Sequence, residues 1–290
     1  MRTVLFILCF LQSFMSLAQS EYEFLGVIQL QEDSFISYKI SFTEEKGTLT
    51  GHTITDMGGP HETKSYLSGY YDEKSNVLEF YESGIVYTKS FVNQNDFCFL
   101  HYSGELKRLN EKQHISGAFK GLYSDGKECI NGEIHLKNYG KILKRAKKID
   151  RKVERSILIS QEKKDQVHLL RDLDSINTHR LNKNETLSMF AEGKTIFLTV
   201  YDAGQEDGDK IALSVNGTPL YQNLEALSEK KVIEIPLKES KTELSVKALT
   251  NGTIGGNTVM LEIRDAKNKI ETVTNLKKGE SAKFVFLRNE

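Results

Sequence analysis

The chain has no tryptophan, only three prolines and only three cysteines. Its charges almost cancel: 39 Lys and Arg stand against 40 Asp and Glu, a net charge of −1. That balance excludes a global electrostatic attraction to nucleic acid. After the first twenty residues no apolar run is long enough to span a bilayer, so no transmembrane helix is expected in the mature chain. Common catalytic signatures are missing too. There is no G-x-S-x-G elbow, no H-E-x-x-H and no phosphate-binding loop. The cysteines lack the spacing of a zinc site. The seven histidines, at 52, 61, 101, 114, 135, 168 and 179, are scattered. Glu79 and Glu82 would need a shared cleft to work as a hydrolytic pair. Each of these side chains is read first as structural.

What is present begins with "MRTVLFILCFLQSFMSLAQS". One arginine precedes an apolar run, and small residues follow at Ser16 and Ala18. That order predicts a secretory signal peptide over 1–18, cut after Ala18, with a membrane anchor as the alternative. Cys9 lies inside the apolar run after Leu8, a poor site for lipidation. The expected location is exported: periplasmic, outer-surface or extracellular. Removing the signal leaves Cys98 and Cys129 with one available pairing, and an oxidising compartment lets such a bridge persist. Two buried free thiols are the alternative.

Tyrosine and phenylalanine carry the aromatic content, in alternating runs that favour strands. "FISYKISF" sets Ile36, Tyr38, Ile40 and Phe42 on one face and Phe35, Ser37, Lys39 and Ser41 on the other. "VLEFYE", "IVYTKSFV", "FCFLHY" and "INGEIHL" continue the pattern. Glycine recurs in "LTG" (49–51), "LSG" (67–69), "ISG" (115–117) and "ING" (130–132), as expected where strands bend and a Cβ would clash. "YDEKSN" and "YSDGKE" read as hairpin turns. Residues 19–139 are therefore expected to form an antiparallel meander of about eight or nine strands, closed as a barrel or packed as a sandwich.

The pattern changes in 140–189. "KILKRAKKIDRKVERSILI" spaces Ile142, Ala146, Ile149, Val153 and Ile157 along one helical face. Residues 141–155 carry eight Lys and Arg against Asp150 and Glu154. The segment reads as a solvated helical connector, with a basic surface for acidic lipid or polysaccharide as the functional alternative. Residues 190–290 return to strands. "TIFLTVY", "KIALSV", "VIEIPL", "TELSVKAL", "NTVMLEIR" and "AKFVFL" suggest an antiparallel sandwich of immunoglobulin-like size. Pro236 implies an edge or a strand end. Asn216-Gly217 is a hairpin signal.

Between the first two of these strands lies "DAGQEDGD", Asp202 to Asp209. Its acidic side chains are hard oxygen donors, so Asp202, Asp207 and Asp209 are candidate calcium ligands, calcium being the one cofactor considered. The spacing is not that of an EF-hand. Short aspartates also stabilise loops by bonding their own backbone, and a connector is the preferred reading. The stretch "YDAGQEDGDKIALSVNG", with "GGNTVMLEI" at 255–263, resembles a recurrent C-terminal β-sandwich module of secreted bacterial proteins that carries a D-x-G-x-x-D-G-D-like loop. "ETKSYLSGYYD" and "IVYTKSFVNQNDFCFL" are similar to exported two-domain β proteins with the same order of parts. The resemblance implies export and a mainly β architecture, and transfers no catalytic residue. The functional expectation is an exported envelope protein that binds or scaffolds without catalysis, its partner a glycan, a lipid or another envelope protein. An envelope hydrolase with an unrecognised site is the alternative.

Overall fold

The computed structural model describes residues 21–288 except 32–33, 92–95, 110–113, 165–166, 168, 171–172, 174–178, 205 and 252–257. The expected signal peptide over 1–18 and His168 lie outside the described residues. The fold is mainly β. Eight strands come first: β1 (Glu21–Gln31), β2 (Ser34–Glu45), β3 (Thr48–Thr55), β4 (Thr63–Asp72), β5 (Val77–Thr88), β6 (Phe99–Glu105), β7 (His114–Leu122) and β8 (Glu128–Asn138). Each pairs antiparallel with its chain neighbour, and β8 returns to pair with β1. The ladder therefore closes into an eight-stranded barrel.

Alternation decides which face points inward. Along β2, Tyr38, Ile40 and Phe42 are buried, while Lys39 faces out. Phe24, Leu67, Phe80, Leu100, Phe119 and Leu136 join them in one packed cluster. Eight strands make an interior just wide enough for side chains to fill. These buried side chains pack the barrel interior. Gly51 and Gly69 lie where a Cβ would strike the neighbouring strand, at Ser41 O and Glu79 O. Close strand approach at these points lets the sheet coil tightly enough to close. The Cys98–Cys129 disulfide ties the start of β6 to β8 across 31 residues. In the chain-entropy model a loop of that size stabilises by about 3–4 kcal/mol. Gly121 lies beneath the bridge, where a Cβ would meet Cys98 Sγ and Ile130 O.

Helix α1 (Tyr139–Arg155) and the short α2 (Gln161–Lys164) follow. Ten strands complete the chain: β9 (Arg180–Asn182), β10 (Thr186–Ala191), β11 (Thr195–Tyr201), β12 (Lys210–Val215), β13 (Thr218–Glu225), β14 (Lys231–Pro236), β15 (Lys241–Ala248), β16 (Met260–Arg264), β17 (Lys269–Asn275) and β18 (Ser281–Arg288). Strands β9 and β10 begin inside 140–189, the segment read as a helical connector. The order β13-β12-β15-β18-β10 forms one sheet, and β14-β11-β16-β17-β9 a second. Leu187, Leu213, Leu244 and Phe284 from the first share one buried cluster with Ile196, Leu198, Leu261 and Ile263 from the second. Two ladders, β10–β18 and β9–β17, are parallel. That departs from the wholly antiparallel pairing expected, because alternation reports faces and not partners. Asn216 and Gly217 both have positive φ, 49° and 78°, and make the β12–β13 hairpin. Pro236 ends β14, an edge strand. Among the described residues no helix is long and apolar enough to cross a membrane.

Strand β5 belongs to both halves. Its first part pairs with β6 as far as Tyr81↔His101. A register shift against β4 follows, between Leu67↔Glu82 and Ser65↔Ile85. Beyond it, Tyr87 and Thr88 pair with Met189 and Ser188 of β10. The barrel ladder thereby runs on into the first sheet of the C-terminal half. Where β5 leaves β6, Glu82 turns inward and its Oε2 accepts the Leu100 N–H at 2.8 Å. Its Oε1 accepts the Thr53 hydroxyl at 2.6 Å and the Tyr38 hydroxyl at 3.0 Å. Burial pushes the Glu82 carboxyl up in spite of these three donors. A raised folded value means that this group's contribution to stability falls as pH rises through it. Removing the side chain costs more, because each buried donor left unpaired costs on the order of 1–3 kcal/mol. Glu82→Leu is expected to lower unfolding stability by at least about 2 kcal/mol in a urea titration. An unchanged midpoint would contradict the assignment.

Candidate functional site

The β3–β4 loop, "TDMGGPHET", folds back on itself. Asp56 and Gly58 take positive φ, 54° and 72°. The Asp56 carboxylate accepts the His61 N–H at 2.9 Å. This turn delivers Glu62, 1% exposed, to the joint between the two halves. Gly58 N–H donates to Glu62 Oε2 at 2.6 Å. Glu62 Oε1 accepts from the Tyr87 hydroxyl at 3.0 Å and from His179 Nδ1 at 2.8 Å. Tyr87 stands on β5 beyond the register shift. His179 immediately precedes β9, and its carbonyl accepts from Val273 N–H at 2.9 Å and the Thr272 hydroxyl at 3.0 Å, both on β17. The two rings meet edge-on, 5.3 Å between centroids. Lys89, also buried, donates to Arg180 O at 2.9 Å and lies 3.6 Å from the Glu185 carboxylate.

The electrostatics follow from this arrangement. Burial alone would raise the Glu62 carboxyl, but the His179 ring, the Lys89 ammonium and the Gly58 N–H together hold it below its ordinary range. Burial, then the Glu62 carboxylate, push the Tyr87 hydroxyl well up. Above the cluster opens a cleft of about 860 Å³, whose lining includes Lys64, Tyr87, His179, Lys269 and Glu271. Lys269 is compensated by Glu271 at 2.7 Å and Glu262 at 3.1 Å. Lys64 is partly buried and makes no ion pair among the described residues. Burial, and then the nearby Lys39, lower its ammonium. His52 is lowered to about 4 by burial and by Lys64 and Lys267. Lys39 pairs with Glu23 at 2.7 Å, so of Lys39 and Lys64 only Lys64 stands without an ion-pair partner among the described residues.

The Glu79–Glu82 pair does not form, and His52 and His61 stay apart. His52 lies against the Tyr66 ring, 5.7 Å between centroids, whereas His61 contacts the Ser90 hydroxyl at 3.2 Å. Glu79 bonds Ser103 on the barrel's outside while Glu82 points in, since they differ in strand parity. Among the described residues no serine, threonine or cysteine side chain is hydrogen-bonded to the His179 ring. Glu62 and His179 are 117 residues apart, and no local motif marks either.

The acidic loop joins β11 to β12. Asp202 and Asp209 are buried and Asp207 is partly buried. Asp202 Oδ1 accepts the Gly204 N–H at 2.8 Å, and Asp209 Oδ2 accepts the Thr258 N–H at 2.7 Å. Glu206 accepts the Ser228 N–H at 2.7 Å. Burial, with the Asp207 and Asp202 charges behind it, raises the Asp209 carboxyl. Its Oδ1 is buried without a hydrogen-bond partner. Among the described residues no group of three or more His, Cys, Asp or Glu is placed to hold a metal ion. The Asp202–Gly204 bond is internal to the loop, whereas Glu206 and Asp209 tie it to Ser228 and Thr258.

No protein-family model matches the chain, and no match is found among curated proteins or solved structures.

Two outcomes are expected. Glu62 has a depressed folded value, so its stabilisation is present above the ordinary carboxylate range and is lost as pH falls through the folded value. Glu62→Gln should lower stability at pH 7 by about 1–3 kcal/mol and flatten the acid limb of a melting-temperature profile. Parallel profiles for the two proteins would contradict this. Asp209 is the opposite case, since its charged form is disfavoured in the fold. Asp209→Asn keeps an acceptor for Thr258 and should raise the melting temperature at pH 8, on a scale of about 2–4 °C per kcal/mol. A calcium-dependent rise in the parent protein that Asp209→Asn abolishes would instead establish a cation site.

Proposed function

We propose that the protein is exported to the cell envelope and acts there as a non-catalytic binding protein, holding an anionic group of its ligand in the cleft beside Lys64 and His179. The observation that carries this reading is Lys64: a partly buried ammonium that lines the cleft, without an ion-pair partner among the described residues. Such a charge is costly to bury alone and is relieved by a ligand anion. The packed barrel interior supports placing the ligand at the joint and not inside the barrel. The disulfide is compatible with an oxidising compartment. The ligand class remains glycan, lipid or envelope protein, narrowed to members with an acidic group.

One observation favours a second reading, an envelope hydrolase. Glu62 orients the His179 imidazole at the cleft, as a carboxylate does for a general base. The hydroxyl in contact with the ring is that of Tyr87, 2.8 Å from His179 Nδ1, and burial beside Glu62 pushes its deprotonation well up, which disfavours it as a nucleophile.

One experiment separates the two. Calorimetric titration with uronic acids, sialic acid and phosphorylated sugars is expected to find a binder. Lys64→Ala should weaken it by roughly 10- to 100-fold, the worth of a charged hydrogen bond, with circular dichroism unchanged. Turnover of ester, glycoside, phosphate or peptide substrates that His179→Ala abolishes in a folded protein would replace the binding reading with the hydrolase. Binding that ignores Lys64→Ala would contradict the proposed site.

A further inference from the structure

Helix α1 has a second surface, separate from the cleft and independent of the ligand proposed there. Its start is capped by Asn138, whose side chain accepts the Lys141 N–H at 3.2 Å. Tyr139 and Ala146 are buried, and the intervening apolar residues Ile142 and Leu143 are partly buried. That face seats the helix. The opposite face is wholly basic. At 3.6 residues per turn, Lys141, Lys144, Arg145, Lys147, Lys148, Arg151, Lys152 and Arg155 fall within one arc of about 160°. Neither acidic residue of the helix lies in that arc. Asp150 faces the following segment, where its carboxylate accepts the Leu169 and Leu170 N–H groups at 3.2 and 3.1 Å. Among the described residues Lys147, Lys148, Arg151, Lys152 and Arg155 form no ion pair. In a chain of net charge −1, this is a strong local concentration of positive charge.

Charge alone would suit any polyanion. The residues after the helix narrow the choice. Ser156 ends it in an extended conformation, and Ile157 and Leu158 follow at 99% and 98% exposure. Ile149, on the last turns, is 36% exposed. Full exposure of two adjacent aliphatic side chains at the end of a basic helix has no use in water. A polysaccharide or nucleic acid rewards the cations but offers nothing to Ile157 and Leu158. An anionic bilayer rewards both, with headgroups for the cations and an acyl boundary for the aliphatic pair.

We infer that α1 and Ile157–Leu158 dock the protein peripherally on an anionic lipid surface. The helix lies on the membrane and does not cross it. The basic arc contacts phosphate headgroups, and Ile157 and Leu158 enter the interface.

The test is vesicle flotation of the protein as its host exports it. Vesicles of phosphatidylcholine alone are compared with vesicles containing phosphatidylglycerol, at low and high salt. Binding is expected only with phosphatidylglycerol and should fall steeply with salt. Lys147→Ala with Arg151→Ala should weaken it about 25-fold, roughly five-fold per cation. Ile157→Asp with Leu158→Asp should weaken it at least ten-fold while leaving the melting temperature unchanged, since both residues are exposed. Equal binding to both vesicle types, or none to either, would overturn the proposal. So would vesicle binding that ignores the aspartate pair, or capture by a sulfated polysaccharide in its place, which would assign the surface to a glycan.

Discussion

The Glu62 carboxylate is the contact on which the arrangement of the two halves depends. It lies on a loop of the barrel, yet its acceptors are filled by Tyr87 at the far end of β5 and by His179 at the entry to the second pair of sheets. A buried carboxylate in this position is costly unless each oxygen is used. Here Gly58 takes one oxygen, and Tyr87 with His179 takes the other. The β5–β10 ladder runs directly alongside, and Ile85, Phe99 and Phe190 pack a small apolar cluster over the point where β5 leaves β6. Hydrogen bonding, ladder continuity and packing therefore coincide at one joint.

That coincidence fixes the walls of the cleft. Its walls come from β4 and β5 on one side and from β17 and the start of β9 on the other, and the joint fixes their spacing. Lys64 reaches the cleft from a strand, not from a loop, so its position is set by two ladders. Held there, the Lys64 ammonium is lowered by burial and by the nearby Lys39. Burial and the charges of Lys64 and Lys267 likewise lower the His52 imidazole to about 4.

Much of the fold was legible in the sequence. The alternation of Tyr38, Ile40 and Phe42 correctly named an inward face, Asn216-Gly217 named a hairpin, and elimination paired Cys98 with Cys129. Barrel against sandwich was not legible in the first half, because the deciding fact is the β8–β1 pairing and periodicity carries no information about partners. Glu82 had a readable signal: in "VLEFYE" it shares the parity of Leu78 and Phe80, which places a carboxylate on the inward face. Glu62 and His179 had none, since their meeting depends on a loop reversal and on a strand crossing from one half to the other. The acidic loop drew attention through composition, but nothing in it marks the distant partners of Glu206 and Asp209, Ser228 and Thr258. The helix was legible as a period. The full exposure of Ile157 and Leu158 was not.

Held at the Glu62 joint, barrel and sheet pair should unfold as one cooperative body. Differential scanning calorimetry tests it most directly. One transition is predicted at pH 7, with the calorimetric enthalpy matching the van 't Hoff enthalpy. Two resolved transitions, one for each half, would contradict the account.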